Sequence, residues 1–241
     1  MNVTDILIPK RVEKEEKLDR NDVAIKDVKE SFNDLHRINR YLGGVGVYRK
    51  SLYTLIRENP SGEKLRILDV GTGSSDLTVE VLREAQKIHN NVSITGLDLQ
   101  HRFLDLAKKN HGNIDRLHLV VSDAFQMPFH DNAFDFVISN LVLHHFYNRA
   151  DRLLNEMYRV SSRAVVINDL LRHRVPLLFF KLFAPVITRS HITQYDGEVS
   201  LRRAFSLPEL RTLLEQSHFD HYTLKKHWSF RFGLIIRKNN E

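Results

Sequence analysis

The 241-residue sequence contains no cysteine, which excludes disulfides, thiolate metal sites and cysteine nucleophiles together. It has no apolar run approaching the roughly 20 residues that a membrane span needs. The apolar stretch in MNVTDILIPKRVEKEEK is too short for a secretory signal, so a cytoplasmic address is expected. Internal repeats and low-complexity segments are missing as well, which sets aside solenoids and biased tails. With 42% hydrophobic and 27% charged residues the composition is that of a globular protein. The length suits one α/β domain with additions.

The excess of Lys and Arg (36) over Asp and Glu (30) leaves a net charge of +6. A balance of this size permits nucleic acid, an anionic membrane surface or an acidic substrate and selects none of them.

Along the chain, residues up to about Asp22 mix both charge signs with few apolar anchors and read as a frayed or loosely helical arm. Ile25, Val28, Phe32, Leu35, Ile38 and Leu42 then recur at helical spacing. Gly43, Gly44 and Gly46 are expected to break that helix, and a second amphipathic stretch runs through Tyr48, Leu52, Leu55 and Ile56. Asn59-Pro60-Ser61-Gly62 is a stop signal. The organisation expected is a helical arm and cap over residues 1–60 and a second unit over 61–241.

In that second unit short apolar runs, Leu65–Val70, Val92–Leu97, Leu117–Val121, Phe134–Ser139 and Ala164–Asn168, alternate with helical patterns. Such alternation implies a parallel sheet covered on both faces. Ser206 and Glu209 have capping-box spacing, with Phe205 and Leu210 placed as a hydrophobic staple. Two more β-prone runs, Tyr222–Trp228 and Phe230–Ile236, follow. The expected fold is α/β: a doubly wound, Rossmann-like, mostly parallel seven-stranded sheet, with N-terminal helices and a lid insertion after strand 5 at 172–205.

The chemistry is concentrated at strand tips. Asp69-Val70-Gly71-Thr72-Gly73-Ser74-Ser75-Asp76 runs from strand through glycine loop to helix. There the backbone can approach a ligand and the helix N-terminus offers free N–H groups. A dinucleotide loop usually carries a third glycine. Here Asp76 takes that position, and with Asp69 it would repel a pyrophosphate. Two carboxylates suit the ammonium and sulfonium of S-adenosylmethionine. Asp98 ends the second strand, where an acid accepts hydrogen bonds from ribose hydroxyls. Asp123, before Ala124 and Phe125, ends the third and can accept an adenine amino proton, with Phe125 or Leu99 packing on the ring. A single strand-tip Asp is as readily a cap or turn residue. Three at successive strand tips carry more weight.

Taken in order, Asp69-Val-Gly-Thr-Gly, Asp98, Asp123-Ala and Phe134-Asp-Phe-Val-Ile-Ser-Asn140 resemble the motifs of class I S-adenosylmethionine-dependent methyltransferases. The continuation Leu141-Val-Leu-His-His145 resembles the UbiE-like small-molecule branch. The resemblance implies cofactor contacts at Asp69, Gly71, Thr72, Gly73, Ser74, Asp76, Asp98, Leu99, Asp123, Ala124, Phe125 and the backbone near Asn140. Ser75 stands where many relatives have glycine. No proline follows Asn140, which disfavours exocyclic-amine methylation on DNA and raises oxygen or carbon acceptors. His144 and His145 are candidate general bases for deprotonating such an acceptor; alternatively they cap the next helix, with proximity alone sufficient for transfer. No carboxylate motif accompanies the pair, so no metal is expected.

Residues 172–203 hold six Arg or Lys against Asp196 and Glu198, and enclose the apolar run Val175–Ile187. An apolar helix flanked by arginines suggests a lipophilic acceptor with an acidic or phenolic head, or a lid whose arginines face water. Contact with a membrane surface is a variant of the same reading. His191, Asp196, Gly197, Arg202 and Arg203 resemble a subgroup of UbiE-like enzymes encoded near polyketide synthases. Tyr41, His191, Arg202 and Arg203 are therefore candidate substrate contacts. The function expected is methyl transfer to an oxygen or carbon of a small phenolic, quinoid or polyketide-like acceptor. An RNA or protein methyltransferase using the basic surface, and a non-catalytic binder, stand as alternatives. Oligomeric state is not legible.

Overall fold

The computed structural model describes residues 7–59 and 63–238. Its centre is a sheet of seven strands, β1 Leu65–Val70, β2 Val92–Asp98, β3 Leu117–Val121, β4 Phe134–Asn140, β5 Ser161–Leu170, β6 Tyr222–His227 and β7 Arg231–Arg237. Their spatial order is β3-β2-β1-β4-β5-β7-β6. β1 to β5 pair in parallel, and β7 enters antiparallel between β5 and β6. Strand order reverses between β1 and β4, so the crevice at their carboxyl ends is the switch point where ligands of such sheets collect.

Period-two alternation builds a core on each face. Leu68 and Val70 of β1 join Val137, Val165 and Leu234 on one side, under the helices α6 Ala150–Val160 and α9 Leu207–Glu215. Leu65 and Ile67 join Ile94, Phe136, Ile138 and Val166 on the other. That face is covered by α2 Gly44–Lys50, α3 Leu52–Arg57 and α4 Asp76–Ile88. The expected capping box is formed: Ser206 and Glu209 satisfy each other's backbone N–H groups at the start of α9. Phe205 and Leu210 are both buried beside it.

The first helix, α1, spans Ile25–Tyr41. Only Gly43 breaks it, at φ +89°, where a Cβ would come within 2.6 Å of the Ser229 hydroxyl. Gly44 and Gly46, expected to share in the break, instead lie inside α2. The predicted stop at Pro60–Gly62, and with it the boundary between the two units, falls outside the described residues.

The arm, expected to be frayed or loosely helical, is instead fastened to the body. Lys17–Asp19 form a 3-10 turn, and Leu18 is buried with Val28, Phe103, Leu106 and Ile192. Asp196 holds that turn from α8 (His191–Arg203), accepting the Lys17 N–H at 2.7 Å and the Leu18 N–H at 2.9 Å. Arg11 pairs with Glu209 at 2.9 Å, and Arg172 donates to the Pro9 carbonyl. The arm lacks apolar periodicity because polar bonds, rather than an apolar face, fasten it. Between β5 and α9 stand α7 Arg174–Ile187 and α8. The remaining helix, α5, is His101–His111.

Candidate active site

One cavity of about 1160 Å³ opens at the carboxyl ends of the parallel strands. Every residue expected at the cofactor lines it: Asp69, Gly71, Thr72, Gly73, Ser74 and Asp76 from the first loop; Asp98 and Leu99 after β2; Asp123, Ala124 and Phe125 after β3; and Asn140 at the end of β4. The loop is tightly built. Gly71 and Gly73 have φ of +75° and +55°. A Cβ on Gly71 would lie 2.4 Å from Val142, and one on Gly73 would lie 2.7 Å from the Phe32 ring. Ser75 adopts the same left-handed region at φ +59°, which explains why glycine is the easier residue there.

Asp69 and Asp98 are carboxylates withheld from water. Burial pushes Asp69 up to about 6, against hydrogen bonds from Thr78 and Thr72. Burial also raises Asp98, against the backbone N–H groups of Gln100 and Gly73, each donating at 2.9 Å. Among the described residues neither carboxylate has a cationic side chain in salt-bridge contact. A ligand bringing an ammonium and hydroxyl donors would satisfy both. Asp123 is exposed and accepts the Phe125 N–H at 2.9 Å. That turn contact is the local role a strand-tip Asp commonly has.

Beside β4 and β5 the cavity holds a second cluster. His144 is buried, and its Nδ1–H donates to Asp169 Oδ1 at 2.7 Å. Its backbone N–H donates to Asp169 Oδ2 at 3.1 Å. His144 Nε2 lies 3.4 Å from Glu16 Oε1, and His145 Nε2 lies 3.7 Å from the same oxygen. His145 Nδ1 lies 3.2 Å from Asp19 Oδ2. Burial alone would depress the His144 imidazolium, but Asp169 and Glu16 outweigh it and raise it to about 10. Burial alone would raise Glu16, and the two histidines instead pull it down to about 2. His145, with 19% of its side chain exposed, is the freer of the two.

The substrate expectations divide. Arg203 lines the cavity, donates to the His145 carbonyl at 2.9 Å and approaches Glu16 to 3.8 Å. Tyr41, His191 and Arg202 do not line it. Tyr41 is 71% exposed on the last turn of α1, while Ile38, Asn39 and Leu42 face the cavity. On α8 the lining face is Thr193, Gly197 and Ser200 at helical spacing, which turns His191 and Arg202 away. Arg202 meets Glu198 instead, at 3.6 Å.

Sequence reading missed Glu16, Asp19, Asp169 and Arg231. Asp169 is an acid at the end of β5 and could have been found by the logic applied to Asp98 and Asp123. The arm residues carry no such signal. Arg231 is buried in the cavity wall and donates to Asn39 Oδ1 at 3.0 Å, while burial lowers its guanidinium to about 10.

A doubly wound sheet with acids at its strand tips and a glycine loop after β1 defines a class I S-adenosylmethionine-dependent methyltransferase. A family model described as a methyltransferase domain matches residues 68–165. The chain is 30% identical over 174 residues to a demethylmenaquinone methyltransferase of Staphylococcus haemolyticus, covering 66% of this chain and 70% of that protein. It is also 30% identical over 152 residues to the ubiquinone/menaquinone biosynthesis C-methyltransferase UbiE of Geotalea daltonii, covering 58% of this chain and 61% of that protein. The plantazolicin methyltransferase BpumL, solved with S-adenosylhomocysteine, shares the fold at a TM-score of 0.67 and 16% identity, over 89% of this chain and 90% of its own. The chain belongs to the UbiE-like methyltransferases, and S-adenosylmethionine is its cofactor. No helix among the described residues is long and apolar enough to cross a membrane.

Proposed function

We propose that the chain methylates an oxygen or carbon of a small lipophilic acceptor, quinoid, phenolic or polyketide-like, with a polar head. The observation that carries this reading is the mixed lining of the cavity at the strand ends. Strand-tip carboxylates lie towards β2 and β3, and the side chains of Val175, Phe179 and Phe180 add an apolar wall from α7. The relatives named for demethylmenaquinone and ubiquinone/menaquinone biosynthesis support a quinone-related acceptor.

When bound, S-adenosylmethionine supplies an electrophilic methyl group on a sulfonium. The protein's part is to hold and to orient. Asp98 is assigned the ribose hydroxyls, Asp69 and Asp76 the ammonium, and Asp123 with Ala124, Leu99 and Phe125 the adenine. The backbone of Gly71, Thr72, Gly73, Ser74 and Asn140 closes around the cofactor. Arg203 and Arg231 present positive charge to an acidic or phenolic head. The histidine pair with Glu16 assists removal of the acceptor's proton. Helices α7 and α8 act as a lid, and the outward apolar side chains of α7 rest on a membrane surface.

The test is transfer of labelled methyl from S-adenosylmethionine to a short-chain demethylmenaquinone analogue, to simple lipophilic phenols, and to RNA and protein controls. Transfer to the small acceptors is expected. Transfer only to RNA or protein would replace this reading with the macromolecular one. In parallel, Asp98→Ala should weaken S-adenosylhomocysteine binding at least tenfold in calorimetric titration, since a buried polar contact is worth about 1.5–3 kcal/mol when charged.

A further inference from the structure

Glu16, His144 and His145 come from two distant stretches of chain, yet their nearest ligand atoms all lie within 4.8 Å of one another. Their spacing does not suit a hydrogen-bonded ion cluster. Charge-assisted N–H···O bonds run about 2.7–2.9 Å, and the His144 Nδ1–Asp169 bond meets that at 2.7 Å. On the other side of the same ring Nε2 stops 3.4 Å short of Glu16. That nitrogen is buried without a hydrogen-bond partner among the described residues. His145 Nε2 stops at 3.7 Å from the same oxygen. Two ligand atoms held about 2.0–2.1 Å from a tetrahedral ion lie about 3.3–3.4 Å apart. The two gaps to Glu16, 3.4 and 3.7 Å, are close to that separation.

The outer contacts point the same way. Histidines that bind a metal through one nitrogen commonly donate the other N–H to a carboxylate, which fixes the tautomer. Here His144 does so with Nδ1, towards Asp169, and the Nδ1 of His145 lies 3.2 Å from Asp19 Oδ2. Both are left with Nε2 facing Glu16. Ser200 Oγ donates to Glu16 Oε1 at 2.8 Å and steadies the carboxylate, while Arg203 shares part of its charge at 3.8 Å.

We propose that Glu16, His144 and His145 form a binding site for a divalent transition-metal ion of the zinc class, with Asp169 and Asp19 orienting the two imidazoles. Two imidazoles and a carboxylate are the ligand types zinc takes in catalytic sites, and three protein ligands leave a position open. All three line the cavity, so that position faces the acceptor. An acceptor hydroxyl bound there loses its proton more readily, because a cation stabilises the negative charge left on the oxygen it holds. This last step rests on the function proposed above; the site itself does not.

The experiment titrates Zn²⁺, with Mg²⁺ as control, into the chelator-stripped full chain by calorimetry at pH 7 and measures bound metal after dialysis by mass spectrometry. One zinc per chain with micromolar or tighter affinity is expected, and Mg²⁺ should bind far more weakly. Glu16→Gln and His145→Gln should each abolish stoichiometric retention. Asp169→Asn, outside the ligand set, should weaken zinc about 10- to 100-fold. S-adenosylhomocysteine titration of each variant checks folding, and a variant that fails it is set aside in favour of the other. No zinc retained by the parent, or retention unchanged in both ligand variants, overturns the site. Neither acceptor nor methyl donor is present in this measurement. A metal-free parent that still methylates small acceptors would leave the proposed function standing, and a zinc-binding parent with no such activity would remove that function alone.

Discussion

Asp69 is a carboxylate with no cation in salt-bridge contact among the described residues, raised by burial to about 6. The folded pKa exceeds the unfolded one, so this group's contribution to stability is complete below about pH 4 and is lost as pH rises through about 6. A carboxyl raised from its ordinary value near 4 to about 6 gives up roughly 3 kcal/mol across that window. A bound ammonium reverses the demand, because it favours the ionised form. Cofactor affinity is therefore expected to fall about tenfold per unit below pH 6 and to level off above about pH 7. Asp69→Asn should stabilise the free chain at about pH 7.5 and flatten the affinity profile while lowering its plateau. Thermal unfolding and S-adenosylhomocysteine titration across roughly pH 5 to 8 check both limbs. An Asn variant with the parent's affinity profile would remove Asp69 from the ammonium site.

At the scale of elements, the arm and α7 show how each segment is held. The arm depends on Asp196, whose two oxygens take the N–H groups of Lys17 and Leu18. Asp196→Ala leaves both amides unpaired at about 1–3 kcal/mol each. Proteolysis and hydrogen exchange over residues 11–19 should accelerate while the sheet stays protected. Equal protection in the variant would mean that the Leu18 cluster alone holds the arm. Helix α7 poses the opposite question, for it is apolar on both sides. Phe179 reaches the cavity lining, yet Leu178, Leu182 and Val186 are 62%, 64% and 83% exposed. Three outward aliphatic side chains beside Arg174 and Lys181 suit a membrane surface with anionic lipid. Leu182→Glu with Val186→Glu should lower binding to vesicles containing phosphatidylglycerol at least tenfold. Activity on a water-soluble acceptor should persist. Parent protein that ignores such vesicles would end this reading of the helix.

At the scale of the whole molecule, the strand tips were legible in the sequence because their signals are local. The strand run, the glycine loop after β1 and the acids Asp69, Asp98 and Asp123 announce themselves within a few residues, and the sheet brings them to one edge by topology alone. Glu16 and Asp19 were not legible, since nothing near them indicates that β4 and β5 deliver His144, His145 and Asp169 to the same place. Tyr41 misled for a related reason: helical periodicity locates an apolar face, but the choice between neighbouring residues of the last turn is made by what the helix packs on. The same cavity draws on the arm, α1, the tips of the parallel strands, α7 and α8, so a ligand filling it should stabilise these elements as a unit. At one hundred times its dissociation constant S-adenosylhomocysteine adds about 2.7 kcal/mol. For a chain of this size that raises Tm by about 5–10 °C. A single calorimetric transition that moves as a whole is expected with ligand, and Asp98→Ala should lose most of the shift. Two transitions, only one of them responding, would show instead that the arm and helices 174–203 unfold independently of the sheet they cover.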